Sequence, residues 1–219
     1  MTEIVLAVDT THEHGSIALC AGDALLEERE IHAPEGFGQV LFGEIEILLA
    51  NHHVTLHDCH LFAGAAGPGS FTGVRIALTC VKGFAEVLGR PVIGVSNLEA
   101  LAASGHQPRR AAIVDARKGE VYAAVYGPQP TGEMVINLAS FLEDLPRETE
   151  LISQDFAKLS AQPELFSHFL QTTAPRSQAA AMARIALHKW REGGPCDPLT
   201  IDANYIRRPE AEVLYRPPV

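Results

Sequence analysis

The constraint that most limits how this chain can fold is a pattern that occurs twice: an apolar strand, an aspartate, a polar turn and a second strand. The first copy runs Ile4-Val-Leu-Ala-Val8, Asp9, the turn from Thr10 to Gly15, and Ser16-Ile-Ala-Leu-Cys20. The second runs Ala111-Ala-Ile-Val114, Asp115, a polar turn, and Glu120-Val-Tyr-Ala-Ala-Val-Tyr126. Short apolar runs bounded by turn residues read as buried strands joined in hairpins. Asp9 and Asp115 hold equivalent places in the two copies. The pattern predicts a weakly duplicated α/β protein with two lobes, residues 1–105 and 106–219, with Gly105-His-Gln-Pro108 at the boundary and a cleft between them. At 219 residues the chain is long enough to bury a core.

Between the two hairpins the first lobe fills out. Ala24 to Ile31 alternates as a third strand, and a helix follows from about Gly38 to Ala50. A glycine-rich turn leads into a second helix, Thr72 to Leu88. Pro91-Val-Ile-Gly-Val95 is a short strand, and Ser96 caps a helix ending near Ser104. In the second lobe, residues 127–171 are Pro-rich and carry no assignable period. A helix from Ser177 to Arg191 is placed there too, and the tail, with Arg207-Arg208-Pro and Pro217-Pro218, reads as extended.

Gly64-Ala-Ala-Gly-Pro-Gly-Ser-Phe-Thr-Gly-Val-Arg75 is the strongest candidate for chemistry. Strand, glycine turn and helix N-terminus make the phosphate-binding order. Gly67 and Gly69 permit positive φ or close approach of a ligand, Pro68 fixes the turn, and Ser70 or Thr72 can cap the helix. No Gly-Lys-Ser/Thr follows, so this is not a Walker A loop. Arg75 lies in the first helical turn, where the macrodipole disfavours a cation, and this predicts a carboxylate or an external anion facing it. A tight structural turn is the competing reading. Asp9 and Thr10, with Asp115 from the other lobe, could complete a nucleotide site. The turn after Asp115, however, reads Ala116-Arg-Lys-Gly119 and puts bulky cations where phosphate would approach.

The two first-lobe helices are apolar over a wide arc. On the second, only Arg75, Thr79, Lys82 and Glu86 form a polar stripe, which implies burial on two sides. One side suits the lobe's own sheet, and the other needs a neighbouring helix or a partner molecule. Val40, Leu41, Ile45 and Leu48 on the first helix, with Val74, Leu78 and Val81 on the second, are the expected partner-facing residues.

Composition excludes several classes. A net charge of −10 argues against autonomous nucleic-acid binding. Cys20, Cys59, Cys80 and Cys196 form no Cys-x-x-Cys pair, no signal peptide opens the chain, and no apolar run reaches membrane-spanning length; the expectation is a cytoplasmic protein with reduced thiols and no membrane partner. His53-x-x-x-His57 has the spacing of a metal pair. It follows the end of a helix, contains Val54 and Thr55 and lacks a glutamate, so no metal site is expected. Ser70 does not sit in a Gly-x-Ser-x-Gly elbow, which leaves a serine hydrolase as a weak alternative.

Several segments together resemble the TsaB family of the bacterial tRNA threonylcarbamoyladenosine machinery. They are Ile4 to Thr10, Gly67-Pro-Gly-Ser-Phe-Thr-Gly-Val-Arg75, Gly94-Val-Ser-Asn-Leu-Glu-Ala-Leu101, Asp115-Ala-Arg-Lys-Gly-Glu-Val-Tyr122 and Tyr205-Ile-Arg207. The resemblance implies an α/β fold of two ribonuclease-H-like lobes in the actin-like, Hsp70-like ATPase superfamily. It implies a non-catalytic subunit without catalytic residues that dimerises with TsaD through first-lobe helices and activates its threonylcarbamoyl transfer to the adenosine beside the tRNA anticodon. TsaE joins as an ATPase, tRNA is met only indirectly, and the chain forms a homodimer when alone. The resemblance implies no cofactor; Asp9, Thr10, Gly67, Gly69, Ser70, Thr72 and Asp115 would be a vestigial nucleotide site, with a nucleotide at the complex interface left open. TsaD carries a His-x-x-x-His metal pair that is absent from the Gly38-to-Ala50 helix here. Where family members often have His-Ser at the start of the first helix, this chain has Phe37 and Gly38, which is expected to add aromatic surface near the interface. The alternative is an ATP-dependent phosphotransferase of the same fold.

Overall fold

The structure, a computed structural model, describes residues 2–160 and 162–206. Residues 2–104 together with 174–204 form one compact unit and residues 105–173 form another. The Arg207-Arg208-Pro and Pro217-Pro218 segments, and Arg207 of the family-like tail, lie outside the described residues.

The first unit is built on five strands: β1 (Ile4–Asp9), β2 (His14–Ala21), β3 (Ala24–His32), β4 (Leu61–Gly67) and β5 (Val92–Ser96). Their order across the sheet is β3-β2-β1-β4-β5. The β1–β2 and β2–β3 pairs are antiparallel, and β4 and β5 join in parallel. Parallel pairing of β1 with β4 requires a crossover, supplied by α1 (Leu41–Asn51). From β4 the chain returns through α2 (Phe71–Leu88), then crosses to β5 and α3 (Asn97–Ala102). Every residue of β4 is buried, as its unbroken small and apolar sequence requires. Ser96 caps α3 as expected, accepting from the amides of Leu98 and Glu99.

The second unit repeats the plan. β6 (Arg110–Asp115), β7 (Glu120–Tyr126), β8 (Met134–Asn137), β9 (Glu150–Ser153) and β10 (Leu170–Thr173) stand in the order β8-β7-β6-β9-β10, with α4 (Leu138–Glu143) and α5 (Phe156–Leu159) between strands. Antiparallel and parallel pairs fall in the same places as in the first sheet. This is the ribonuclease-H-like arrangement used twice, the plan of the actin-like ATPase superfamily. The region 127–171, without a readable period, supplies three strands of four residues each, too short for alternation to register.

One assignment needs correction. The helix expected in the second lobe, α6 (Ala179–Arg191), packs on the first sheet, burying Ala179, Ala180, Met182, Ala183, Ala186 and Leu187 in the first core. Its N-terminus is received by strand side chains. Ser16 Oγ of β2 accepts from the amides of Gln178 and Ala179, at 3.1 and 3.0 Å, and Glu28 of β3 accepts from the Ala180 amide at 2.8 Å. These are caps supplied across more than 150 residues of chain, satisfying donors a helix cannot satisfy itself. Burial pushes the Glu28 carboxyl above its ordinary range, partly countered by the amides it receives.

In the second unit the fully buried Glu150 plays the comparable part. Burial raises its carboxyl, but the amides of Gln107 and His106, each at 2.7 Å, and the Thr172 hydroxyl outweigh that, and the net shift is downward. A lowered folded-state value means the contribution is complete above the unfolded value of about 4.3 and is lost as pH falls through the folded one. Glu150→Gln should therefore flatten acid unfolding of the chain below about pH 4.3, the window in which stability of the wild type falls with pH because the unfolded chain binds the proton first. Circular dichroism against pH checks this, and Ser16→Ala should cost about 1–2 kcal/mol in urea through loss of the α6 cap.

Candidate functional site

Strand β1 ends at Asp9 and is followed by Thr10 and Thr11, and all three polar residues are buried, exposed by no more than 1%. They are buried because they bond to one another and to the glycine turn. Thr11 donates to Asp9 Oδ1 from its amide at 2.9 Å and from its hydroxyl at 2.6 Å. Asn97 at the start of α3 donates to Thr11 Oγ1 at 2.6 Å and accepts from the Gly67 amide at 2.9 Å. The Thr10 hydroxyl donates to the Gly73 carbonyl at 2.7 Å, and the Ser70 amide to the Thr11 carbonyl at 2.8 Å. Asp9, Thr10, Gly67, Gly69 and Ser70 thus lie together.

On its inner side the turn packs against the protein's own backbone, while Gly69 to Thr72 are exposed. A Cβ at Gly73 would sit 2.0 Å from the Thr10 carbonyl oxygen, and one at Gly69 2.7 Å from Thr11 Cβ. The glycines permit one backbone to cross another, where the sequence had suggested an approaching phosphate. Ser70 caps α2, its Oγ accepting from the Gly73 amide at 3.3 Å, so the serine proposed as a nucleophile has a structural partner. Thr72 is exposed in the first helical turn. The Arg75 guanidinium lies 3.9 Å from the centre of the Phe71 ring, a cation–π contact that spacing alone did not reveal. Asp115 belongs to the second unit, is exposed, and accepts from the Arg117 amide at 2.7 Å. Arg117, Lys118 and Gly119 all have positive φ in that turn.

The expected partner-facing residues are placed differently. Leu41, Ile45, Leu48, Val74, Leu78 and Val81 are at most 5% exposed and line the lobe's own core; of the seven, only Val40 is exposed. Periodicity located the apolar arcs of both helices correctly but did not say which side the sheet would take. The side left over mixes the polar Glu46, Arg75, Thr79 and Glu86 with exposed apolar residues. Phe42 is 59% exposed, Ile47 47%, Phe71 52% and Val87 84%. Gly43 and Gly83 on the same helices face open space. Phe42 meets Phe84 edge to face at 6.1 Å between ring centres, and beside them a groove of about 710 Å³ is lined by Phe42, Ile45, Leu49, Leu56 and Phe84. Phe37 adds nothing to this surface: it is 5% exposed and packs against Gly15.

The histidine-rich stretch has ordinary partners. His60 Nδ1 accepts from the Ile4 amide at 3.1 Å, His52 Nε2 lies 2.9 Å from Glu27, and His53 occupies a left-handed turn after α1. Burial pushes the thiols of Cys59 and Cys80 up to about 12 and that of Cys20 to about 11.

The chain is similar to known proteins over most of its length. Residues 32–187 match the TsaD family, described as tRNA N6-adenosine threonylcarbamoyltransferase. The tRNA threonylcarbamoyladenosine biosynthesis protein TsaB of Bacillus subtilis is 29% identical over 96% of this chain and 97% of that protein. Its Escherichia coli counterpart of the same name is 35% identical over 58% of this chain and 57% of that one. Among solved structures, a Pseudomonas aeruginosa protein described as similar to the peptidase YeaZ is 27% identical with a TM-score of 0.77, covering 94% of this chain and 100% of that one.

Two glycine substitutions separate the roles described above. Gly73→Ala forces Thr10 and α2 apart and should cost at least about 2 kcal/mol in urea unfolding, whereas Gly83→Ala, exposed in mid-helix, should be neutral or stabilising by up to about 1 kcal/mol.

Proposed function

Since the chain belongs to the TsaD family, and within it to the TsaB proteins of tRNA threonylcarbamoyladenosine biosynthesis, we propose that it is a non-catalytic subunit that binds and activates TsaD. The observation that carries this reading is the outer face of α1 and α2. Both helices have already buried one apolar side in their own lobe, yet Phe42, Ile47, Phe71 and Val87 remain exposed on the other. Aromatic side chains set among glycines, which let a facing helix come close, suit a helix–helix interface. In this reading TsaD covers the face in the working complex, a second copy of the chain covers it when TsaD is absent, and TsaE joins the assembled pair.

The glycine turn supports the same reading. Gly69 and Gly73 are required by the crossing backbone of Thr10 and Thr11, no lysine follows the turn, and the Asp9 carboxylate is already bonded to Thr11. In this reading the chain contributes surface rather than chemistry and leaves transfer to its partner. A net charge of −10 fits a subunit that meets tRNA only through that partner. The phosphotransferase alternative has the fold in its favour and lacks the lysine of a phosphate-binding loop.

The test is threonylcarbamoyl transfer to tRNA by the host's TsaD, TsaE and adenylate-forming synthase, with and without this chain. Product should form only with the chain present; equal product without it would reject the activating role. Phe42→Glu should leave the fold intact and weaken TsaD binding at least tenfold, about 1.4 kcal/mol or more. Leu48→Glu, by burying a charge in the lobe's core, should instead unfold the protein, seen as loss of helical circular dichroism.

A further inference from the structure

At the open end of the β2–β3 hairpin two histidines and two carboxylates converge. His14 opens β2 and His32 closes β3, and the antiparallel register sets them directly opposite each other. Their rings stack with centres 4.4 Å apart. Glu13 adds a carboxylate, and one ligand atom from each of Glu13, His14 and His32 lies within 4.8 Å of the others. Glu30, diagonal to His14 across the pair, places Oε1 3.0 Å from His14 Nδ1.

We propose that Glu13, His14 and His32 form a binding site for a first-row divalent transition metal of the zinc type, with Glu30 orienting the His14 ring. Two imidazoles and a carboxylate are a donor set that suits zinc, with a water in the fourth position. At Zn–N distances of about 2.0–2.1 Å, two ligands of a tetrahedral site lie roughly 3.3 Å apart, so shifts of about 1 Å in exposed side chains close the cluster. Glu30 supplies what metal-bound histidines ordinarily have, an acceptor on the other ring nitrogen that fixes the tautomer and leaves Nε2 for the metal. The scaffold is held in place: the ring of Phe37 packs on Gly15, the residue after His14, and the Ala33 amide closes the hairpin end onto the Glu13 carbonyl. An ordinary polar cluster explains a histidine–glutamate pair. It does not by itself account for two imidazoles held face to face with a second carboxylate beside them.

The experiment is calorimetric titration of tag-free, chelator-treated protein with Zn²⁺, alongside Co²⁺ with its visible absorption as a report of nitrogen ligands. A single saturable equivalent is expected. His32→Asn or His14→Asn should weaken it at least tenfold, Glu30→Gln about tenfold without abolishing it, and saturating Zn²⁺ should raise Tm in the wild type and not in the His14→Asn/His32→Asn double variant. Because the chain has other histidines, the triple variant His52→Asn/His53→Asn/His57→Asn must keep full affinity. No binding at millimolar Zn²⁺, undiminished binding in the double variant, or binding lost only in the triple variant would each overturn the assignment.

Discussion

The first lobe depends on a crossing of two backbones, Thr10-Thr11 leaving β1 and Gly69 to Gly73 entering α2. At 2.0 Å from the Thr10 carbonyl, no side chain fits at position 73, and the hydroxyls and carbonyls that meet there are bonded to each other. Asn97 ties the same knot to the start of α3 by bonding Thr11 and Gly67 together. Three elements are thereby fixed at the carboxyl ends of parallel strands, the place where an open α/β sheet ordinarily receives a ligand. In this protein Thr10 and Thr11 lie buried beneath the turn, whose residues Gly69 to Thr72 are exposed.

The helices of the lobe bury one side and leave apolar residues on the other. Helix α2 buries Val74, Ala77, Leu78 and Val81 inward, and α1 buries Leu41, Ile45 and Leu48. Outward they present Glu46, Arg75, Thr79 and Glu86, and interspersed with these polar residues stand exposed phenylalanine, isoleucine, valine and glycine. The doubled sheet supplies the framework, the crossing fixes β1, α2 and α3 to one another, and exposed apolar side chains remain on α1 and α2.

Much of the fold was legible because its signals are local. The duplicated hairpins appear in the sequence as apolar runs ending in Asp9 and Asp115, and the caps Ser70 and Ser96 were readable from their place before a helical pattern. Other features depend on partners distant in sequence. The position of α6 is set by Ser16 and Glu28, which no window around Ala179 contains. The strands β8, β9 and β10 are too short for a period to be counted. At the candidate site, the residues of the turn were identifiable, but the reason for their glycines was not: a glycine required by a neighbouring backbone and one required by a phosphate look the same in sequence. The outward face of α1 was missed for a similar reason, since an apolar arc on both sides hides which side meets the sheet.

The most direct measurement is side-chain footprinting of Phe42, Ile47, Phe71 and Val87 in the free chain, diluted until its homodimer has dissociated, and in the presence of TsaD. The account predicts that all four label readily in a monomeric free chain and are protected together once TsaD is bound. Complex formation that leaves these four labelled, with protection falling elsewhere on the chain, would contradict it.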